Sequence, residues 1–292
     1  MRIAPLLLAA FAAACSLAQE AKPAPVLPKP QDPAAALAEM MQQFAKEGIT
    51  LDAKAGTLKL TAVMNAPQDA LEYLLINRRG KRHEAMLWTK AKPSVLNGAL
   101  LLLGLTPGQN AKAEEIVPPP SIEAIEKGAE TVKVTPPKGM NLWFTVQWTT
   151  PEGKVVEHCL EDLLLDLTTQ RAVVGCSWVY LGGRMGQLYR NEPEVFVADF
   201  EGNLVSACYM TPDNHLVTIV HERGRDQHNW WLTSKAPEPD TEVQITIHRQ
   251  QPKLHQEREA RLAKEAAENQ GEPQPEGGKP VAPPSERTGG GK

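Results

Sequence analysis

The sequence predicts an α+β domain: a mainly antiparallel β-sheet with a buried helix and a short N-terminal helix. Three observations carry that expectation. Leu58, Leu60 and Ala62 alternate with Lys59, Thr61 and Val63, and similar runs recur to about residue 248, the period of strands with one buried face. The run PSVLNGALLLLGL starts on Pro93, closes at Gly104 and is apolar on nearly every face, as a core helix is. Strand-like segments outnumber helical ones, and the helical ones interrupt them.

The chain opens MRIAPLLLAAFAAACSLAQE, one Arg ahead of an apolar run from Pro5 to Ala14 and then small residues. This reads as an export signal over residues 1–18, too short for the roughly 20 residues that span a bilayer. Two processing outcomes stay open. Cleavage after Ala18 releases a soluble protein, whereas AAAC resembles a lipoprotein box with Cys15 as the acylated residue, although Ala12 stands where such boxes usually carry Leu. Either way the mature protein is expected outside the cytoplasm, and a lipid at Cys15 is the single membrane contact expected.

Residues 19–33 are rich in proline and read as an extended linker. Next, PAAALAEMMQQFAKEG sets Leu37, Met40, Met41 and Phe44 at helical spacing, with Asp32 available as a cap and Gly48 as a stop. The single domain is expected over residues 34–250. YLLINRRGKRHEAMLW reads as two strands in a hairpin around Arg79-Gly80. On that reading His83 and Glu84 point to opposite sides of the second strand. Residues 106–139, rich in Pro, Lys and Glu, read as a long polar loop. Beyond it, NLWFTVQWTT, VVEHCL, RAVVGCSWVYLGG, HLVTIVHERG and EVQITIHRQ read as strands. EDLLLDLTTQ supplies a helical turn, and DFEGNLVSACY a second hairpin around Glu201-Gly202-Asn203. Residues 251–292 read as a charged, solvated helix and a disordered tail.

Composition excludes some function classes. The formal charge of -4 comes from interspersed charges of both signs, with no dense run of Lys and Arg, so nucleic acid is not an expected partner. Beyond the signal, Cys159, Cys176 and Cys208 lie in apolar settings and read as small buried hydrophobes, with one disulfide among them left open. His83-Glu84 lacks the second His of a zinc protease, because Leu87 stands four residues on. GGRMG at 182–186 follows no βαβ pattern and lacks the Lys-Ser/Thr pair of a phosphate loop, so a turn suffices. No catalytic residue, metal or cofactor is called for.

The most polar and aromatic short stretch is HERGRDQHNWW. Arg guanidinium groups beside Trp rings suit an anion or a carbohydrate. A ligand or partner site therefore draws on His83, Glu84, His221, Arg223, Arg225, His228 and Trp230, against the plainer reading of a solvated loop whose Trp side chains cap the core.

The stretch KRHEAMLWTKAKPSVLNGALLLLGL, followed in order by VQWTT, CLEDLLLD, CSWVYLGG and DFEGNLVSACY, resembles the YdjY-domain proteins over about residues 48–232. That resemblance implies an exported bacterial protein without an established activity. Some members are described as ferredoxin-like, but an iron–sulfur cluster needs four closely spaced Cys, and none is carried over. The expectation is a non-enzymatic module that binds an envelope protein or ligand. Its rival is an enzyme or metal-binding protein whose site gathers His83, His158, Cys159, Cys176 and the 221–228 loop.

Overall fold

The computed structural model describes residues 32–269. The signal, Cys15, most of the linker and the tail beyond 269 lie outside the described residues. Helix α1 (Pro33–Lys46) starts where Asp32 accepts from the Ala34 N–H at 3.1 Å and stops before Gly48, whose φ is +74°. Phe44 is its buried anchor, while Leu37, Met40 and Met41 stay partly exposed.

Eight strands form the centre: β1 (Thr57–Met64), β2 (Tyr73–Asn77), β3 (Ala85–Thr89), β4 (Asn141–Thr149), β5 (Ser177–Tyr180), β6 (Asn203–Ser206), β7 (Val217–Val220) and β8 (Glu242–His248). They pair in the order β1-β8-β4-β5-β7-β6-β2-β3, and β3 pairs back onto β1 through Ala62–Thr89, Val63–Trp88 and Met64–Leu87. The sheet is therefore a closed barrel, not the open antiparallel sheet expected. Closure leaves no unpaired edge in the ring. The period-two pattern aims Leu58, Leu60, Phe144, Val146, Trp178, Ile219, Leu75, Leu87 and Ile245 at one continuous interior, each at most 2% exposed.

Two of the eight pairings, β2–β3 and β6–β7, are parallel; the first overturns the hairpin at Arg79-Gly80, and the hairpin at Glu201-Gly202-Asn203 fails because the arm expected before it, Val197–Glu201, is helical. The glycines serve another purpose. Gly80 and Gly202 touch each other: a Cβ on Gly80 would meet Ile76 Cβ at 2.6 Å, and one on Gly202 would meet the Gly80 nitrogen at 2.4 Å. Gly80 lets the chain fold back along β2, so that β3 starts again at the same end. Gly202, with φ +83°, ends a helical turn, α4 (Val197–Glu201), and feeds β6.

Helix α2 (Pro93–Leu102) follows β3 and crosses the barrel end where β3, β5 and β8 finish. Tyr180 donates its hydroxyl to Asn97, Arg249 donates to the Leu103 carbonyl at 3.1 Å, and Ser94 is held by Asp199. Leu96, Ala99 and Leu100 are buried, but Leu101 and Leu102 are 46% and 37% exposed, so the helix is covered on one side only. The 106–139 segment is not a bare loop. Lys112–Glu115 pairs antiparallel with Val132–Thr135, and a turn of helix, α3 (Ile122–Glu126), lies between them.

Between β4 and β5 the barrel wall is thin. The two strands meet through Asn141 and Leu142 alone, and farther along β4 the strand Val155–Cys159 pairs instead, from Thr145–Cys159 to Thr149–Val155. The gap is filled by the 3-10 turn Leu160–Asp162 and by the last helix, α5 (Lys253–Asn269). The solvated helix expected there is in fact docked by its first turns, with His255 and Arg258 only 4% and 7% exposed.

Candidate functional site

The registers bring the segments before β2, β3 and β5 and those after β6 and β7 to one barrel end, opposite α2. His83, Glu84, Cys176, Cys208 and His221 all belong to these segments. They do not form one constellation there. Arg82–Glu84 is a 3-10 turn and β3 begins only at Ala85, so His83 and Glu84 do not face opposite sides of a strand. The imidazole Nε2 lies 3.3 Å from Glu84 Oε1. Lys81 bridges Glu84 at 2.9 Å and Glu72 at 3.3 Å. Burial, with Glu84 beside it, raises the Glu72 carboxyl above its ordinary value. Glu84 is held low despite its own burial, because Lys81 and Glu72 hydrogen-bond to it. The guanidinium groups of Arg78 and Arg82 lie 6.0 and 4.7 Å from the Trp88 ring, which anchors this turn on the barrel.

The 221–231 stretch is organised around Asp166. Arg223 donates to Asp166 Oδ2 from Nε at 3.1 Å and from Nη2 at 2.6 Å, while Asn229 and the Thr168 N–H both reach Oδ1 at 2.9 Å. Burial alone would raise this carboxyl, but Asn229, Arg223 and Thr168 together hold it below the usual carboxylate range. His221 accepts from the Arg223 N–H at Nδ1 and donates from Nε2 to the Val174 carbonyl, both at 3.1 Å, so both nitrogens are committed in the neutral form. Burial and Arg223 hold its pKa down. Trp230 is fully buried, edge-on to His221 at 5.2 Å. Arg225 pairs with Glu130 across a hollow of about 420 Å³, and His228 is exposed. His221, Arg223 and Trp230 are thus brought together as a packed polar knot, with Arg225 and His228 on its rim.

A cleft of about 1030 Å³ lies elsewhere, between α5 and the 168–174 segment. Asp162 stands in it facing three cations: Arg258 Nε at 2.9 Å, Arg261 Nη2 at 3.7 Å and Lys235 Nζ at 3.9 Å. Arg171 lines the same cleft, and the other acid there, Glu265, pairs with Arg261 at 3.8 Å. Beside it, Glu161 is buried, accepting from Trp178 Nε1 at 2.7 Å and meeting His255 Nε2 at 3.0 Å. The model of the YdjY domain matches residues 49–248. The chain belongs to the YdjY-domain family. No curated protein and no solved structure matches it.

The YdjY match covers the whole barrel and ends before α5, so the helix that supplies Arg258 and Arg261 to this cleft lies outside it. Sequence reasoning missed Glu161, Asp162, His255 and Arg258. The available signals were an acidic pair inside the apolar run CLEDLLLD, and His255 and Arg258 three residues apart on one helix face. Of the residues gathered in the enzyme reading, His158 lies on the strand Val155–Cys159, stacked on Trp148 at 5.2 Å, with burial lowering its pKa. The three cysteines are free thiols. Burial pushes Cys159 up to about 12 and raises Cys176 and Cys208 well above the ordinary thiol. A thiol so held is a poor nucleophile.

Proposed function

We propose that this YdjY-domain protein is a non-enzymatic binding module of the cell envelope, taking a small anionic ligand in the cleft between α5 and the 168–174 segment. The carrying observation is the charge balance of that cleft. Among the described residues that line it, Arg171, Lys235, Arg258 and Arg261 stand against Asp162 and Glu265, so the lining carries two more positive than negative charges in a concave site. Guanidinium groups donate paired hydrogen bonds to carboxylate or phosphate, so either chemistry fits. The non-enzymatic part is supported by the raised thiols and by His221, whose two nitrogens are already bonded. Titrating inorganic phosphate and succinate calorimetrically is expected to give saturable, salt-sensitive binding. An Arg171→Ala/Arg261→Ala double variant should weaken it by at least about tenfold, one charge-assisted contact's worth. No saturable binding by either anion, or equal binding by the double variant, would sink the assignment.

Work outside the cytoplasm is part of the same proposal and rests on Arg2, the apolar run Pro5–Ala14 and the choice between cleavage after Ala18 and acylation at Cys15. Fractionation of the producing cells is expected to place the chain in the envelope or the medium. If it is membrane-bound there, Cys15→Ser should release it. A chain found in the cytoplasmic fraction counts against export.

A further inference from the structure

We propose that Cys159, Glu161 and His255 bind one divalent transition-metal ion of the zinc type. A thiol sulfur, a carboxylate oxygen and an imidazole nitrogen from these residues all lie within 4.8 Å of one another. The three residues are 1%, 4% and 4% exposed. The local structure delivers them by separate routes. Cys159 ends the strand paired to β4, Glu161 sits two residues later in the 3-10 turn that plugs the thin wall, and His255 descends from the first turns of α5.

Their burial is costly and needs an explanation. A Glu and a His taken out of water and left to pair with each other recover little of their desolvation cost, and apolar residues of similar size would fill the gap at least as well. Among the described residues, His255 Nδ1 also has no hydrogen-bond partner, although it is buried. A metal ion supplies what these groups lack, because it neutralises the carboxylate and turns a thiol with no polar role into a ligand. The mixed sulfur, nitrogen and oxygen set suits zinc or a neighbouring transition metal, whereas calcium and magnesium take oxygen shells. Trp178 completes the arrangement from outside: its Nε1–H holds Glu161 Oε1 at 2.7 Å, leaving Oε2 turned toward His255.

Binding takes the thiol form of Cys159 to the metal thiolate and releases its proton to solvent, so uptake acidifies an unbuffered solution. Three protein ligands leave a fourth position for water or a bound anion. The metal would lie beside the cationic cleft, since Asp162 follows Glu161 in the chain and Arg258 lies one helical turn beyond His255. The proposal does not rest on anion binding there, and either can fail alone.

The test uses the untagged full chain, stripped with a chelator and titrated with cobalt(II), then with zinc. Expected are one equivalent of cobalt, a thiolate-to-cobalt charge-transfer band with the ligand-field bands of a tetrahedral site, and displacement by one equivalent of zinc. Cys159→Ser should abolish the charge-transfer band, and Glu161→Gln, which keeps an acceptor for Trp178, should weaken zinc at least about tenfold. His83→Ala, on the exposed turn, should bind as the parent does. Circular dichroism checks each variant, and if Cys159→Ser is unfolded the decision passes to Glu161→Gln. The proposal is overturned if the parent takes up no stoichiometric cobalt, if the band survives in folded Cys159→Ser, if it is lost in Cys176→Ser instead, or if Glu161→Gln binds undiminished.

Discussion

Replacing Trp178 with Ala is expected to cost about 3–5 kcal/mol, a large share of the roughly 5–15 kcal/mol that holds a typical domain folded. Trp178 is completely buried in the barrel interior, and Phe144 meets its ring edge-on at 5.8 Å. It stands where the wall between β4 and β5 is only two residue pairs deep. Removing the indole therefore opens a cavity at the place least able to collapse around it. The indole N–H is also the donor that holds Glu161 Oε1, an acceptor on a side chain that folding takes out of solvent. Trp178→Phe separates the two contributions: it keeps most of the volume, loses the hydrogen bond, and should cost about 1–3 kcal/mol. Urea midpoints at constant slope measure both. If Trp178→Phe matches the parent, Glu161 does not depend on the indole, and the picture of a braced carboxylate fails.

Local chemistry was legible in the sequence, and long-range pairing was not. Asp32 and Gly48 bound α1, Pro93 and Gly104 bound α2, and the alternation in β1 and β4 named their buried faces, because each signal acts within one turn or one strand. Gly80 and Gly202 were misread as two hairpin turns, since a glycine needed for φ above zero and one needed for close approach look alike until both segments are placed. Barrel closure joins β1 to β3 and β6 to β7 through pairings that no local pattern records. The cleft was hidden for the same reason: Glu161 meets His255 across 94 residues and Asp162 meets Arg258 across 96. Of the nominated residues, His83, Glu84, Cys176 and His221 lie on segments at one barrel end without forming one constellation. Their own hydrogen bonds, above all those around Asp166, then tie most of them into the packing.

The Asp162–Arg258 pair should respond asymmetrically to mutation, because its two members are not equally dependent on each other. Asp162→Ala strands Arg258, whose side chain is 8% exposed and whose remaining bond is to the Val173 carbonyl at 2.6 Å. An unpaired guanidinium buried to that extent should cost about 3–5 kcal/mol. Arg258→Met keeps the apolar stem and leaves Asp162 with Arg261 at 3.7 Å and Lys235 at 3.9 Å, both partly exposed, so its cost should be nearer 1–2 kcal/mol. The double variant, with no charge left to strand, should be more stable than Asp162→Ala alone by about 2 kcal/mol, which across the four urea midpoints is a coupling energy of about 3–4 kcal/mol. That rescue would show α5 fastened to the barrel by charge placement that the YdjY barrel alone lacks. Equal and additive losses would mean instead that water already serves both groups, and that α5 is held by the packing around His255.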